Sequence, residues 1–528
     1  MPPQDSRSQP SGLGKQSVLT AGAAGLGLAS GLLLDLVIAW KFGATGATDA
    51  YFAGIRVPLA IGTVLLVAAN QAFVPTFSWW FAQSDHDRAS RDASATVILS
   101  VLALTAATVL LILLAPLIIR LFAPGFGPEQ QDTAITVLRV GSLTIPTVAG
   151  AEALRAFLNA QYAFVAPALM NVAYSGVAAL VVLLYSDPSI ITVAWALVIG
   201  GITRLAFLVV MAWTRGFRFH LPMRWKDETE VLTAMRRSLR PIATGSAAPI
   251  SRLGDVFIAS YLPTGSLSLL SYASRLVSAL GGTVLFRSIM VALLPRLSAR
   301  QAARDHEGAK RVTAAGVALM SLAAIPVTVV VVGLAQPVAH VLFARGSFTQ
   351  TDAWTLGLIL LVLGVSLPAD GLSRVTLAPI ISNLDTKTPL RNACIAVATN
   401  LTLLPLLTLP FAPSALAILG AAAAYTCGQY ASSIHATLAF RGRYGLDAIR
   451  SQMRPIVLLI TFGLAATLVW LSAYPPSGDY EVTAFVLAGT IVGALLLVAG
   501  VSVSWLVGFR NSIRLAGLQG KTRNGGDA

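Results

Sequence analysis

Twelve charged side chains stand inside stretches that are otherwise apolar: Arg56, Arg139, Arg155, Arg204, Arg252, Arg275, Arg287 and Arg374, with Asp35, Glu152, Asp255 and Asp370. A guanidinium at mid-bilayer costs about 2.5–3.5 kcal/mol on insertion scales, so it faces a wet cavity, meets a partner or reaches the interface. Arg56, Arg252, Arg275 and Arg374 fall deepest and read as the lining of a water-filled cavity. The guanidinium is a planar fork of donors that fits phosphate oxygens two at a time, so this set suits a phosphorylated or pyrophosphorylated headgroup. The acids Asp35, Asp255 and Asp370 offer a second reading, gating or ion pairing. Arg252 lies one turn from Asp255, and Arg374 follows Asp370 at i, i+4. Arg139, Arg155 and Arg204 sit nearer the ends of their stretches and read as snorkelling towards the headgroups.

No catalytic constellation accompanies these charges. The five histidines are scattered, and no Ser-His-Asp, HExxH or Walker sequence stands in the context it needs. The reading is of a non-enzyme without cofactor or metal. Cys394 and Cys427 both fall in apolar segments and read as packing residues, not as a disulfide or metal framework. Without a nucleotide site, any transport would draw on an ion gradient, the membrane potential or the substrate's own gradient.

The elements that carry the charges are membrane helices. Of 528 residues, 55% are hydrophobic and 11% charged, against about 25% charged in soluble proteins. Apolar runs of about 20 residues, each long enough to span a bilayer, recur fourteen times: near 17–40, 51–79, 94–119, 133–158, 162–185, 189–213, 241–262, 266–295, 312–340, 353–383, 392–410, 414–438, 455–474 and 481–507. Prolines 58, 146, 167, 326, 368, 379 and 405 fall inside them, where a kink is tolerated if protein or a wet cavity satisfies the freed carbonyls. With the N-terminus inside, the connections facing the cytoplasm hold 26 of the 37 Lys and Arg, the outer loops three and the spans eight. That asymmetry puts both termini in the cytoplasm and accounts for the net charge of +14 without nucleic acid. No cleavage site follows a short apolar region, so the first span reads as retained.

The chain repeats itself. Asp35 to Pro75 aligns without a gap on Asp255 to Pro295, 220 residues later: Asp35-Leu-Val-Ile-Ala39 on Asp255-Val-Phe-Ile-Ala259, and Gly62-Thr-Val-Leu65 on an identical Gly282-Thr-Val-Leu285. That offset carries span 1 onto span 7. Six is an even number of spans, so the two six-helix repeats insert the same way round. The expected domains are a cytoplasmic tail 1–16, an N-terminal lobe 17–213, a basic cytoplasmic linker 214–240 and a C-terminal lobe 241–438. Two extra C-terminal helices in 439–507 and a basic cytoplasmic tail 508–528 follow.

Particular stretches resemble the MurJ/MviN family of lipid II flippases, within the multidrug/oligosaccharidyl-lipid/polysaccharide exporter superfamily. They are Phe42-Gly-Ala-Thr-Gly-Ala-Thr-Asp-Ala-Tyr-Phe52, Gln71-Ala-Phe-Val-Pro75, Ala123-Pro-Gly-Phe126, Phe157-Leu-Asn159 and Ala166-Pro-Ala-Leu-Met-Asn171. Tyr272-Ala-Ser-Arg-Leu276, Leu293-Leu-Pro295, Gly346-Ser-Phe348 and Asp385-Thr-Lys-Thr-Pro389 continue the set in family order. The resemblance implies fourteen helices in a V-shaped, bilobed transporter. It assigns Asp35 to the family's first-span acid, Arg275 to its span-8 arginine and Arg374 to a span-10 cation. Leu34, Gly62, Thr63 and Leu66 depart from the family's charged pattern. Some members hold a cation in the C-terminal lobe, which makes Asp255, Asn392 and Asn400 a candidate cation site.

The function so implied is that of a flippase of the bacterial inner membrane. It would carry a bactoprenol-pyrophosphate-linked glycan, by default lipid II, from the cytoplasmic to the periplasmic leaflet by alternating access. Its partners would be the undecaprenyl-linked glycolipid, membrane lipids, H+ or Na+ or the membrane potential, and the cell-wall synthesis machinery. Three alternatives stand beside it: a flippase for a lipid-linked exopolysaccharide or O-antigen repeat unit, a cation-coupled multidrug antiporter of the same superfamily, and a structural scaffold for wall synthesis.

Overall fold

The computed structural model describes residues 13–69, 73–83, 85–220, 247–279, 281, 286–383, 385–461, 501, 502 and 505. Every regular element among them is helical. The chain divides between Ser260 and Tyr261 into two compact units.

The first unit contains α1 (Leu13–Phe42), α2 (Gly46–Ala68), α3 (Val74–Ala82), α4 (His86–Phe122), α5 (Pro128–Ser142) and α6 (Thr144–Ala160). It continues through α7 (Val165–Asn171), a π-helical turn at Val172–Gly176, α8 (Val177–Leu184), α9 (Ile190–Trp213) and α10 (Ala247–Ala259). Apolar side chains gain little by leaving lipid, so helices in a bilayer associate through close backbone approach at small residues. Gly54 brings α2 against the Ala134 carbonyl and Val137 of α5, and Gly200 brings α9 against the Tyr174 carbonyl of the π turn. Phe157 anchors an aromatic cluster, edge-on to Phe77 at 6.4 Å and to Phe217 at 5.5 Å between ring centroids.

The 37 residues of α4 extend about 55 Å at the usual rise, well beyond a hydrocarbon core of about 30 Å. On its first turns Ser90 and Ser94 grip the extended segment 217–220. Their hydroxyls accept the Arg218 and His220 N–H groups at 2.8 and 2.9 Å and donate back to the carbonyls of the same residues at 3.2 and 3.0 Å. Helix α10 rests on α2 and α4, and the Gly125 N–H donates to the Ser260 hydroxyl at 3.1 Å. The compact division therefore falls after span 7.

The second unit contains α11 (Ser266–Val277), α12 (Arg287–Ala302), α13 (His306–Gly333), α14 (Ala335–Phe343), α15 (Gln350–Gly364), α16 (Leu367–Ser382), α17 (Lys387–Thr408), α18 (Ile418–Tyr444) and α19 (Asp447–Arg450). Small residues again set the contacts: Gly371 of α16 lies against Met320 of α13, and Gly428 of α18 against the Ala396 carbonyl of α17. The predicted span 133–158 is broken at Leu143, between α5 and α6, and 353–383 at Val365 and Ser366, between α15 and α16. Pro146 and Pro368 sit just inside the helices that follow, where a missing N–H is least costly.

Asp85 caps α4 by accepting the Arg88 N–H at 2.9 Å, and Asp305 caps α13 by accepting the Gly308 N–H at 2.7 Å. The two caps are 220 residues apart, and so are the first residues of α2 and α11, Gly46 and Ser266. Among the described residues nine segments are long and apolar enough to cross a membrane, against fourteen predicted. Span 12 is present as the 27-residue α18, but Gln429, Ser432, Ser433 and His435 make it more polar than the rest. Spans 13 and 14 fall mostly outside the described residues, as do 221–240 of the linker and the tail 508–528.

Candidate functional site

In the second unit α16 carries Asp370 in its first turn and Arg374 one turn on. Acid before base at i, i+4 is the favourable order on a helix, and an acid near the N-terminus also suits the macrodipole. The pair forms as that spacing predicts, with two parallel bonds: Arg374 Nε donates to Asp370 Oδ1 at 2.9 Å and Nη2 to Oδ2 at 3.1 Å. Both side chains retain exposure, 45% for Arg374 and 27% for Asp370, so the paired charge still meets its surroundings.

The next residue, Ser373, turns inward and is buried. Its hydroxyl accepts from Asn392 Nδ2 at 3.2 Å and lies 3.3 Å from the Ser432 hydroxyl. Asn392 Nδ2 also donates to Ser432 at 2.7 Å, and its Oδ1 lies 2.9 Å from His435 Nδ1. The Asn392 amide is thus taken up by a polar network joining α16, α17 and α18. Asn400 is buried eight residues further along α17, about 12 Å at the helical rise. Asp255 belongs to the first unit. No His, Cys, Asp and Glu group suited to a metal occurs among the described residues. Arg275 is half-buried in the last turn of α11.

In the first unit Asp35 is buried in α1, and Arg56 is half-buried in α2, two residues before the buried Pro58. Arg252 is half-buried and Asp255 buried on α10.

The snorkelling predicted for Arg155 and Arg204 is overturned, since they are 5% and 6% exposed. Arg155 Nε donates to Glu152 at 2.6 Å, one turn back on α6, and the Arg204 guanidinium lies 4.6 Å from the centre of the Tyr174 ring. Both arginines face helices, and the helix interior gives them partners that lipid would not. The i, i+3 spacing of Glu152 and Arg155 was a usable signal for the first pair; nothing in sequence marked Tyr174. Arg139 does reach outward, exposed, with Nε donating to the Ile112 carbonyl at 3.4 Å. The side chain of Arg287 lies outside the described residues. The packing role expected of the cysteines is also corrected, because Cys394 and Cys427 are both exposed.

The loop between α16 and α17 carries a further cluster that sequence reasoning left without a role. Asp385 accepts from Arg443 Nη2 at 2.5 Å, the Thr388 hydroxyl at 2.7 Å and the Lys387 and Thr388 N–H groups at 2.8 and 3.1 Å. The Arg443 guanidinium first, then the Thr388 hydroxyl, hold its carboxyl well below the usual carboxylate range. Next to it the Tyr444 hydroxyl accepts from Gln301 at 2.7 Å and Asn383 at 2.9 Å and donates to the Pro379 carbonyl at 3.4 Å. One phenol therefore ties the ends of α12, α16 and α18 together.

The family model for the lipid II flippase MurJ matches residues 38–489. The chain is 27% identical over 510 residues to a probable lipid II flippase MurJ of Haemophilus influenzae, covering 89% of this chain and 97% of that one. It is 29% identical over 412 residues to the corresponding protein of Bdellovibrio bacteriovorus, covering 75% and 76%. Among solved structures, the lipid II flippase MurJ in an inward closed conformation superposes with a TM-score of 0.73 at 20% identity, covering 93% of this chain and 99% of that one. An inward-facing multidrug resistance MATE family transporter of the MOP superfamily gives a TM-score of 0.64 at 16% identity, covering 79% of this chain and 94% of that one, a likeness of fold. A match running from the end of α1 past α19 leaves little of the chain outside it, and the chain belongs to the lipid II flippase MurJ family.

Proposed function

We propose that the protein is a lipid II flippase of the bacterial inner membrane, moving the undecaprenyl-pyrophosphate-linked precursor from the cytoplasmic to the periplasmic leaflet by alternating access. The observation that carries this reading is the family match over residues 38–489. The side chains agree with it: Arg374 in the second unit stays substantially exposed while paired to Asp370, so its fork is available to exchange a carboxylate for a phosphate. Arg275, in the same unit, is half-buried, as are Arg56 and Arg252 in the first unit. Both termini lie in the cytoplasm on this reading, following the distribution of Lys and Arg. The driving force is the membrane potential or a cation gradient.

The test is depletion of the protein in its own host, followed by an assay of lipid II reaching the outer leaflet. Accumulation of lipid II on the cytoplasmic side, with lysis, is the expected result. Continued wall synthesis with loss of a surface polysaccharide would move the cargo to another lipid-linked glycan and sink the assignment.

A further inference from the structure

Arg204 is the least satisfied charge among the described residues. It is 6% exposed, and its Nε and one Nη are buried without a hydrogen-bond partner. A guanidinium cannot shed its proton at any physiological pH, so burial cannot be relieved by neutralisation. Among the described residues the carboxylate that acts on it is Glu152, which Arg155 already holds at 2.6 Å. The face of the guanidinium is covered by the Tyr174 ring at 4.6 Å, which leaves its edge, where the free N–H groups point. Among the described residues, the carboxylate of Glu152 thus faces the guanidiniums of both Arg155 and Arg204.

The surroundings limit what can satisfy that edge. Gly200 and Gly201 lie one turn before Arg204 on α9, flush against the Tyr174 carbonyl and the Thr147 side chain, so no neighbouring side chain can swing in from that wall. The π-helical turn Val172–Gly176, which supplies that carbonyl, is half-buried along its whole length, Tyr174 included. Turns of this kind break the helical hydrogen-bond register and recur at functional sites. At 6% exposure Arg204 leaves little open surface beside it, which favours a small ligand.

We propose that Arg204, with Arg155 and Tyr174 beside it, forms a binding site for a small monovalent anion of the halide class inside the first unit. The anion takes the free Nε and Nη donors of Arg204 in its plane and balances the second guanidinium. Water would fill the donors but leave the charge unmatched. The proposal does not depend on which lipid the protein carries.

The test uses the full-length wild-type protein and bromide as the probe. Crystals grown in bromide should show an anomalous peak at hydrogen-bonding distance from Arg204 Nε and Nη2; a water there with no anomalous signal overturns the proposal. In detergent solution at constant sodium and ionic strength, exchanging gluconate for chloride up to about 150 mM should raise the melting temperature by about 1–2 °C. Arg204→Gln should remove that dependence on the anion. A bromide peak without any stabilisation in solution is binding at crystal concentration only and also overturns it, as does an equal chloride response in Arg204→Gln. If that variant fails to insert, the two wild-type measurements still decide the matter.

Discussion

Arg374 lies over Asp370 in a two-pronged ion pair of 2.9 and 3.1 Å, yet remains the more exposed partner. Between exposed groups such a pair stabilises a helix by only about 0.3–0.5 kcal/mol, so its presence does not explain why two charges sit in an apolar span. On the proposed function, the guanidinium is there to be lent to a phosphate. Charge-assisted hydrogen bonds are worth about 1.5–3 kcal/mol, so Arg374→Ala should slow lipid II flipping by about tenfold or more while insertion and melting temperature stay close to wild type. Arg374→Lys keeps the charge, loses the fork and should fall between. Flipping by reconstituted Arg374→Ala at the wild-type rate would remove Arg374 from the substrate's path.

Glu152 has a different kind of importance. Its pair with Arg155 is 6% exposed on both sides, and removing one partner of a buried pair leaves a charge that nothing screens, at about 3–5 kcal/mol. Glu152→Gln should therefore reduce the folded protein in membranes sharply. The double change Glu152→Gln with Arg155→Met should recover part of that loss, because the stranded guanidinium goes with it. Fluorescence-detected gel filtration across a temperature ramp separates the two outcomes; a double variant no better than the single would show that the pair is not the cause.

What could be read from sequence followed from period and composition. Spans of about 20 apolar residues and the 220-residue offset are local or repeated signals, and the offset recurs in the Asp85 and Asp305 caps; the breaks at Leu143 and at Val365 and Ser366 were not read. The i, i+4 spacing of Asp370 and Arg374 was likewise enough to predict their contact. The direction of a side chain also depends on what its helix packs against, which spacing alone does not give. Arg155 and Arg204 were misjudged for the same reason. Depth along a span is legible from residue number, but whether a face meets lipid or another helix is set by glycines such as Gly200, whose partner is a carbonyl 26 residues away. The network of Ser373, Asn392, Ser432 and His435 joins three helices and has no local signature.

Tyr444 tests how the second unit is held at one end. Its hydroxyl is the shared acceptor for Gln301 and Asn383, so Tyr444→Phe leaves two amide donors without their oxygen and keeps the buried ring in place. Unsatisfied donors of this kind cost about 1–3 kcal/mol. The stacking of residue 444 on Phe440, now 5.1 Å between centroids, should survive. A melting temperature lowered by a few degrees, with normal insertion, is expected. No change would mean that water takes over both amides.

Asp385 gives a prediction in pH. Arg443, the Thr388 hydroxyl and two backbone N–H groups all favour the carboxylate, so its folded-state pKa lies below that of the unfolded chain. A depressed carboxylate contributes stability that is fully present above the unfolded value, about 3.9, and is lost as pH falls through the folded value. Asp385→Asn should therefore cost about 1–2 kcal/mol at pH 7, discounted for the partial exposure of Arg443. The gap between variant and wild type should stay constant down to about pH 5 and narrow below about pH 4. Melting curves of the two proteins from pH 7 to pH 3 measure this directly. A gap that persists undiminished at pH 3 would assign the loss to the altered loop geometry at Thr388, with the charge on Asp385 playing no part.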